Sequence, residues 1–554
     1  MTDSHQHTAR GRIARSIAAI AALTLASISL AGIGGATAPD RVRQQGGDNV
    51  IDFALESETD TGNGFCLPRS QLAISGIQVA AAVYDMLVVP NSKGEFVPYL
   101  AESVEANDDF TEWTITVRDG VKFHDGTPLD AAAVKLNLDT FAGLPGLPNT
   151  GLLFPSVLRP FYGEAEVVDD LTVVVHLTNP VPQFPSFLYG TGRVGMVAPA
   201  QLNSGDECAT RMIGTGPFVC NDDCWTPGEN MVLDANPDYW QEGYPKADQL
   251  IYTPVPETSQ RLTALRGGEL DVLTLDNGQD IIQLGKVRDE FDVVVQKPAF
   301  REIRYYFMNA SAAPFDNPDA RLAVAKALDR KKIDRVIHKG FFELAPGIMD
   351  VKAPGYLKDA GIPEHDVKEA ARLVEQVKAD GDGTFELVLL ADTSDPSNVR
   401  ESQLIQEQLE AVGITVTLPP TANQASFIND AVAGNFGLFL WRNQHGGAAQ
   451  DIDADLFPWF GQTSLVNFGH IIDDELEAQL QAGREAADID ERTTAYQEVN
   501  RIISENVYIL PMWYVDWTIG SSKDVSIKAP PLPDGGGQHL FVYGRVPVLG
   551  LTNK

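Results

Sequence analysis

The clearest periodic pattern lies in the second half of the chain. Stretches 385–391, 414–418 and 436–441 are apolar runs of strand length, and between them 398–412 and 424–433 place apolar residues at helical spacing. This alternation predicts a parallel or mixed sheet wrapped by helices, hence an α/β fold. Ligands of such sheets sit beyond the carboxyl ends of strands, which singles out the loop after Trp441.

The first half carries a different pattern. Residues 50–55, VIDFAL, read as a first strand ended by Glu56-Ser57-Glu58, and an Ala, Ile and Val-rich helix follows over about 71–86. Residues 112–118 alternate polar and apolar as a half-buried strand does. Asp119-Gly120 and Asp125-Gly126-Thr127-Pro128 are turn signals, 130–138 a short helix, and 165–177 a hairpin around Asp169-Asp170. Farther on, 258–270 has helical spacing, 293–304 looks extended, and a helix is expected over 318–330. Helices over 473–485 and 491–504 precede an apolar strand, 508–517, expected to return to the first lobe together with residues from Lys523 onward.

Composition narrows the class. At 554 residues and 44% hydrophobic content the chain can bury several cores, and no solenoid-like repeat is visible. The net charge of −34 argues against nucleic acid or an anionic membrane surface as the main partner. Arg10, Arg12 and Arg15, the apolar run 17–33 and Ala36-Thr37-Ala38 have the three-part layout of a secretory signal, with an uncleaved membrane anchor as the alternative. Four cysteines in an exported chain, Cys66, Cys208, Cys220 and Cys224, favour two disulfides; three pairings are open, and their spacing is too loose for a four-cysteine zinc site.

Several strings carry a family resemblance. Residues 100–138, LAESVEANDDFTEWTITVRDGVKFHDGTPLDAAAVKLNL, resemble the signature of extracytoplasmic solute-binding proteins of the peptide/nickel ABC importer type. Gly214-Thr215-Gly216-Pro217-Phe218, Asn236-Pro237-Asp238-Tyr239-Trp240, Gly267-Gly268-Glu269-Leu270-Asp271, and Asn309 with Pro314-Phe315 resemble further elements of that family, in its order. The resemblance implies a two-lobed type II periplasmic-binding-protein fold with mixed sheets, an enlarged first lobe and a two-segment hinge. The expected division is a signal or anchor over 1–38, lobe I over 48–297 with an inserted subdomain at about 87–187, lobe II over 298–516, and a return to lobe I over 517–554. Localisation is expected outside the cytoplasmic membrane, without a lipid-anchor cysteine, since the first cysteine is Cys66.

The implied function is capture of a peptide or other small polar organic solute by a monomer and its delivery to ABC permease subunits by lobe closure. Trp441, Arg442, Asn443 and Gln444 form the leading ligand segment; where oligopeptide and dipeptide binders have W-x-x-D, this chain has Gln444, with Asp451, Asp453 or Asp455 as substitutes for the missing acid. Glu58, Trp459, Asn467, Trp513 and Tyr514 match cleft positions of relatives. The D-P-H-x-F of nickel carriers is replaced by Asp453-Ala454-Asp455-Leu456-Phe457, so no metal and no cofactor is expected. A secreted hydrolase is disfavoured, because G-x-S-x-G and H-E-x-x-H are absent. A relative acting as a sensor or envelope-assembly factor would share the fold.

Overall fold

The protein is described from a computed structural model covering residues 48–57, 64–70, 72, 74–149, 151, 153–295, 301–393, 395–421, 424–443, 452–539 and 545–554. The expected signal region, Glu58, Gln444 and Asp451 lie outside these residues. Among the described residues no helix is long and apolar enough to cross a membrane.

In chain order the elements that position the site begin with β1 (Val50–Leu55), followed by an antiparallel insert, β2 (Ala101–Ala106), β3 (Glu112–Val117), β4 (Tyr162–Val167) and β5 (Thr172–Leu177). Next come β6 (Phe218–Val219), β7 (Asn230–Ala235), β8 (Gln249–Pro254), α1 (Thr258–Gly267), β9 (Val272–Leu275), α2 (Gly278–Lys286) and β10 (Phe291–Val295). The chain continues with β11 (Glu302–Met308), α3 (Arg330–Ile337), β12 (Glu386–Leu390), α4 (Pro396–Glu410), β13 (Thr415–Thr417), α5 (Gln424–Val432) and β14 (Leu438–Asn443). It ends with α6 (Asp453–Phe460), α7 (Asp474–Glu485), β15 (Ile509–Val515) and β16 (Thr518–Ser522).

Apart from those of the insert, these strands make two mixed sheets, one in each lobe. The first runs β10-β16-β9-β1-β8-β7-β6, with β1 parallel to both β8 and β9. Flanked by strands on both sides and covered on both faces, β1 is apolar nearly throughout, as VIDFAL shows. The second sheet runs β13-β12-β14-β11-β15, with β12 parallel to β13 and β14. Its two faces bury separate cores: Tyr306, Met308 and Leu440 join one, while Tyr305, Phe307 and Phe439 join the other. The alternation of EIRYYFM across the pleat explains this partition.

The insert forms its own sheet, β2-β3-β5-β4, and β3 shows the alternating burial expected of EWTITV. Asp130 caps the helix after it, accepting from Ala133 N at 2.8 Å. His124 fastens the insert to the Gly214–Gly216 turn: its Nδ1 accepts from Gly214 N at 3.3 Å, so its Nε2 is the donor to Gly216 O at 2.9 Å. Burial holds this imidazole below its ordinary pKa, in keeping with a neutral ring. Gly216 is required because a β-carbon there would fall 2.4 Å from the Val83 carbonyl carbon. Disulfides join Cys66 to Cys208 and Cys220 to Cys224.

The apolar stretch 508–517 does hold one strand, β15, but it ends at Val515 and stays in the second sheet; the return to the first lobe is made by a separate strand, β16, which starts at Thr518. β15 pairs with β11 in the second sheet, Asp516 and Trp517 make the crossing, and β16 pairs with β9 and β10 in the first. The chain also changes sheet between β10, which ends at Val295 in the first, and β11, which begins at Glu302 in the second. Arg301 braces this region: its backbone N donates to Asp350 Oδ2 at 2.8 Å, its Nη2 to Oδ1 at 3.0 Å, and its guanidinium lies 3.9 Å over the Tyr514 ring.

Candidate functional site

The carboxyl ends of β1 and β9 in the first lobe face those of β12 and β14 in the second across a cavity of about 170 Å³, counted as space open to the centre of a water molecule. Glu56 and Asp276 leave β1 and β9, Asp392 leaves β12, and Trp441 and Arg442 end β14; all five line the cavity. Asp395, which caps α4 by accepting from Ser397 N at 2.7 Å, and Asn398 add polar groups on the second-lobe side.

Two surfaces of contrasting chemistry meet here. One is aromatic: Trp441, Trp459 and Phe468 form a triangle with ring centroids 5.7, 5.3 and 5.5 Å apart, and Phe427 extends it 6.2 Å from Trp441. The other is ionic. Arg442 Nη2 donates to Glu56 Oε1 at 2.7 Å, its Nη1 donates to Asp276, its Nε is 3.5 Å from Glu302 Oε2, and its guanidinium lies 4.8 Å from the Trp517 ring. Directly opposite on β11 stands Arg304, a like charge that would repel Arg442 without compensation. Arg304 is taken by Glu401 at 2.7 Å and Asn398 at 2.5 Å, both within the second lobe.

Charge states follow from burial and these neighbours. Burial raises the Glu302 carboxyl to about 8, against the pull of Arg442 and the Trp517 Nε1 hydrogen bond of 2.8 Å. Asp276 is held below its ordinary range: burial works the other way, but Arg442, Arg261 and Arg304 outweigh it. Three buried donors of the lining, Trp441 Nε1, Arg304 Nε and Arg261 Nε, meet no acceptor among the described residues.

Of the residues expected at a ligand site, Trp441, Arg442 and Trp459 line the cavity, and the side chain of Asn443 lies outside the described part. Asp453 and Asp455 fall in the first turn of α6, where a loop was expected, and both are buried away from the cavity lining. Asp453 is bound by Arg484 Nε at 2.5 Å, with that guanidinium 4.0 Å over Phe457. Asn467 is spent on its own loop, donating to Ile471 O at 2.9 Å and accepting from Ile471 N at 3.1 Å. Trp513 stacks on Phe342, and Tyr514 donates to Met349 O at 3.0 Å; neither lines the cavity. Glu56, Asp276, Glu302, Arg304 and Phe468 were not singled out from the sequence. The strand-end rule applied to lobe II, extended to β1 and β9, points to the first two, and charges inside the apolar run EIRYYFM mark the next two.

The two facing sheets and the cavity between them define a two-lobed solute receptor. Residues 95–466 match the model of the bacterial extracellular solute-binding proteins, family 5, and the chain belongs to that family, whose members serve ABC importers. The glutathione-binding protein GsiB of Salmonella typhimurium is 26% identical over 77% of this chain and 82% of its own length. Among solved structures, the binding protein AgaA of A. tumefaciens R10 in complex with agropinic acid superposes with a TM-score of 0.79 at 23% identity, covering 91% of this chain and 99% of that one. The dipeptide-binding protein of Pseudoalteromonas sp. SM9913 in complex with Met-Leu superposes at 0.78 with 20% identity, over 91% and 100%. These likenesses carry the fold.

Proposed function

We propose that this protein is the receptor of an ABC importer that captures a peptide or peptide-like solute outside the cytoplasmic membrane and passes it unchanged to the permease. The observation that carries the reading is the cavity's combination of an aromatic wall with unpaired donors. Trp441, Trp459 and Phe468 suit an apolar side group, and Trp441 Nε1, Arg304 Nε and Arg261 Nε suit carbonyl oxygens, which an amide-containing solute presents together. Relatives named for glutathione and solved with Met-Leu bind solutes of this kind. The protein acts as a monomer after export by its N-terminal signal, and its net charge of −34 suits no nucleic-acid partner.

Native mass spectrometry of protein purified from its source without refolding tests this. Retained masses that fragment as short peptides or amino-acid conjugates are expected. A metal complex as sole cargo, or chemical conversion of the cargo by the purified protein, would overturn it.

A further inference from the structure

We propose that Arg442 is a closing residue and not a solute-reading one: it draws the second lobe onto two carboxylates of the first, so that closure depends on Glu56 and Asp276. The inference rests on the reading of the chain as a two-lobed receptor, and it assigns the cavity's central cation to lobe coupling.

Every nitrogen of this guanidinium already faces a protein carboxyl group. Nη2 donates to Glu56 and Nη1 to Asp276, both in the first lobe, while Nε faces Glu302 of the second lobe at 3.5 Å. Its flat face is covered by Trp517, 4.8 Å away, in the segment that crosses between the sheets. A fork of this kind matches two acceptors only when both are held at fixed spacing. Fixed spacing is what β1 and β9 provide, because they are adjacent parallel strands with Phe53 opposite Val272 and Ala54 opposite Leu273.

The comparison with Arg304 sharpens the assignment. It stands opposite Arg442 in the same sheet, yet its carboxylate partner, Glu401, lies in its own lobe. Two arginines side by side thus do different work: Arg304 ties β11 to α4, and Arg442 spans the cleft. The spanning contacts are shielded from water, since the side chains of Arg442, Glu56 and Asp276 are only 22, 12 and 19% exposed. Partial desolvation strengthens the attraction beyond that of an open surface pair.

Small-angle scattering on the full chain, wild type against Arg442→Met, Arg442→Lys and the Glu56→Gln/Asp276→Asn double variant, tests the assignment. Arg442→Met and the carboxylate double variant are each expected to shift the radius of gyration upward, and combining them should add nothing further. Arg442→Lys, which keeps the charge but loses the fork, should fall between wild type and Met. Circular dichroism checks that each variant is folded, and a variant that is not folded is replaced by Arg442→Gln. Unchanged scattering from folded Arg442 and carboxylate variants would overturn the proposal. So would opening in the Arg442 variant alone with no change in the carboxylate variant. The measurement uses no solute, so its failure is separate from a failure to find peptide cargo.

Discussion

Gly278, the first residue of α2 in lobe I, meets Phe341 of lobe II so closely that a β-carbon on it would lie 2.7 Å from the Phe341 Cβ and 2.9 Å from the His338 carbonyl oxygen. The seam between the lobes is therefore fitted to a missing side chain. Gly278→Val should force the lobes apart at this point and cost about 1 to 3 kcal/mol, read as a lower thermal midpoint. An unchanged midpoint would show that the seam is loose.

Glu302 gives stability a pH dependence of known sign. Its carboxyl is raised from its ordinary value to about 8, so between roughly pH 4.5 and pH 8 the unfolded chain releases a proton that the folded chain keeps. Its contribution is therefore fully present below about pH 4.5, declines as pH rises through that window, and is gone above pH 8. Glu302→Gln should remove this slope and stabilise the protein at pH 8 by about 2 to 5 kcal/mol relative to wild type. Denaturant titrations at pH 5, 6.5 and 8 check it, and parallel pH profiles for the two proteins would refute it.

The aromatic triangle is expected to carry a large share of affinity. Trp459→Ala or Trp441→Ala should weaken binding of the cargo identified by mass spectrometry by about 1 to 3 kcal/mol, while Trp513→Phe, buried against Phe342, should leave affinity unchanged. Calorimetry distinguishes the two outcomes.

Near the crossing between lobes, the side chains of Arg301 and Asp350 are 4% and 0% exposed and bound at 3.0 Å. Asp350→Ala strips this buried guanidinium of its best-placed partner and should cost about 3 to 5 kcal/mol, measured by urea unfolding. A loss under 1 kcal/mol would mean that Glu343 and Asp516 suffice as partners.

The bond between Cys66 and Cys208 closes a loop spanning 142 positions. Cys66→Ser with Cys208→Ser should lower stability by about 2 to 5 kcal/mol, whereas removing the Cys220–Cys224 bond, a separation of 4, should cost less. Thermal unfolding of the two double variants orders them.

How much of this was legible depends on how local the information is. The strands and helices of lobe II announce themselves through periodicity, and the strand-end rule then led to Trp441 and Arg442. Glu56 and Asp276 were harder, because their adjacency arises from β1 and β9 pairing across more than two hundred residues, which no local window records. Asp453 and Asp455 look like loop acids in sequence. They instead begin a helix packed inward, where Arg484 supplies a partner that lies a helix away in the chain. Trp513 and Tyr514 belong to a strand buried on both faces, so alternation gave no sign of which residues, if any, reach the cavity. Asp516 is the one local hint that the strand begun near 508 stops at Val515 and does not itself carry the chain back to the first lobe.

The position of β16 between β9 and β10 has a consequence for biogenesis. A polypeptide emerges from the ribosome in one direction, and all five strands of lobe II, Glu302 through Val515, emerge before Thr518 does. The half that starts at Val50 must hold a gap in its sheet while the half synthesised later is already able to finish. Completion of the first sheet thus waits on Thr518–Ser522, and any chain ending short of Thr518 leaves β9 and β10 each without the strand that joins them.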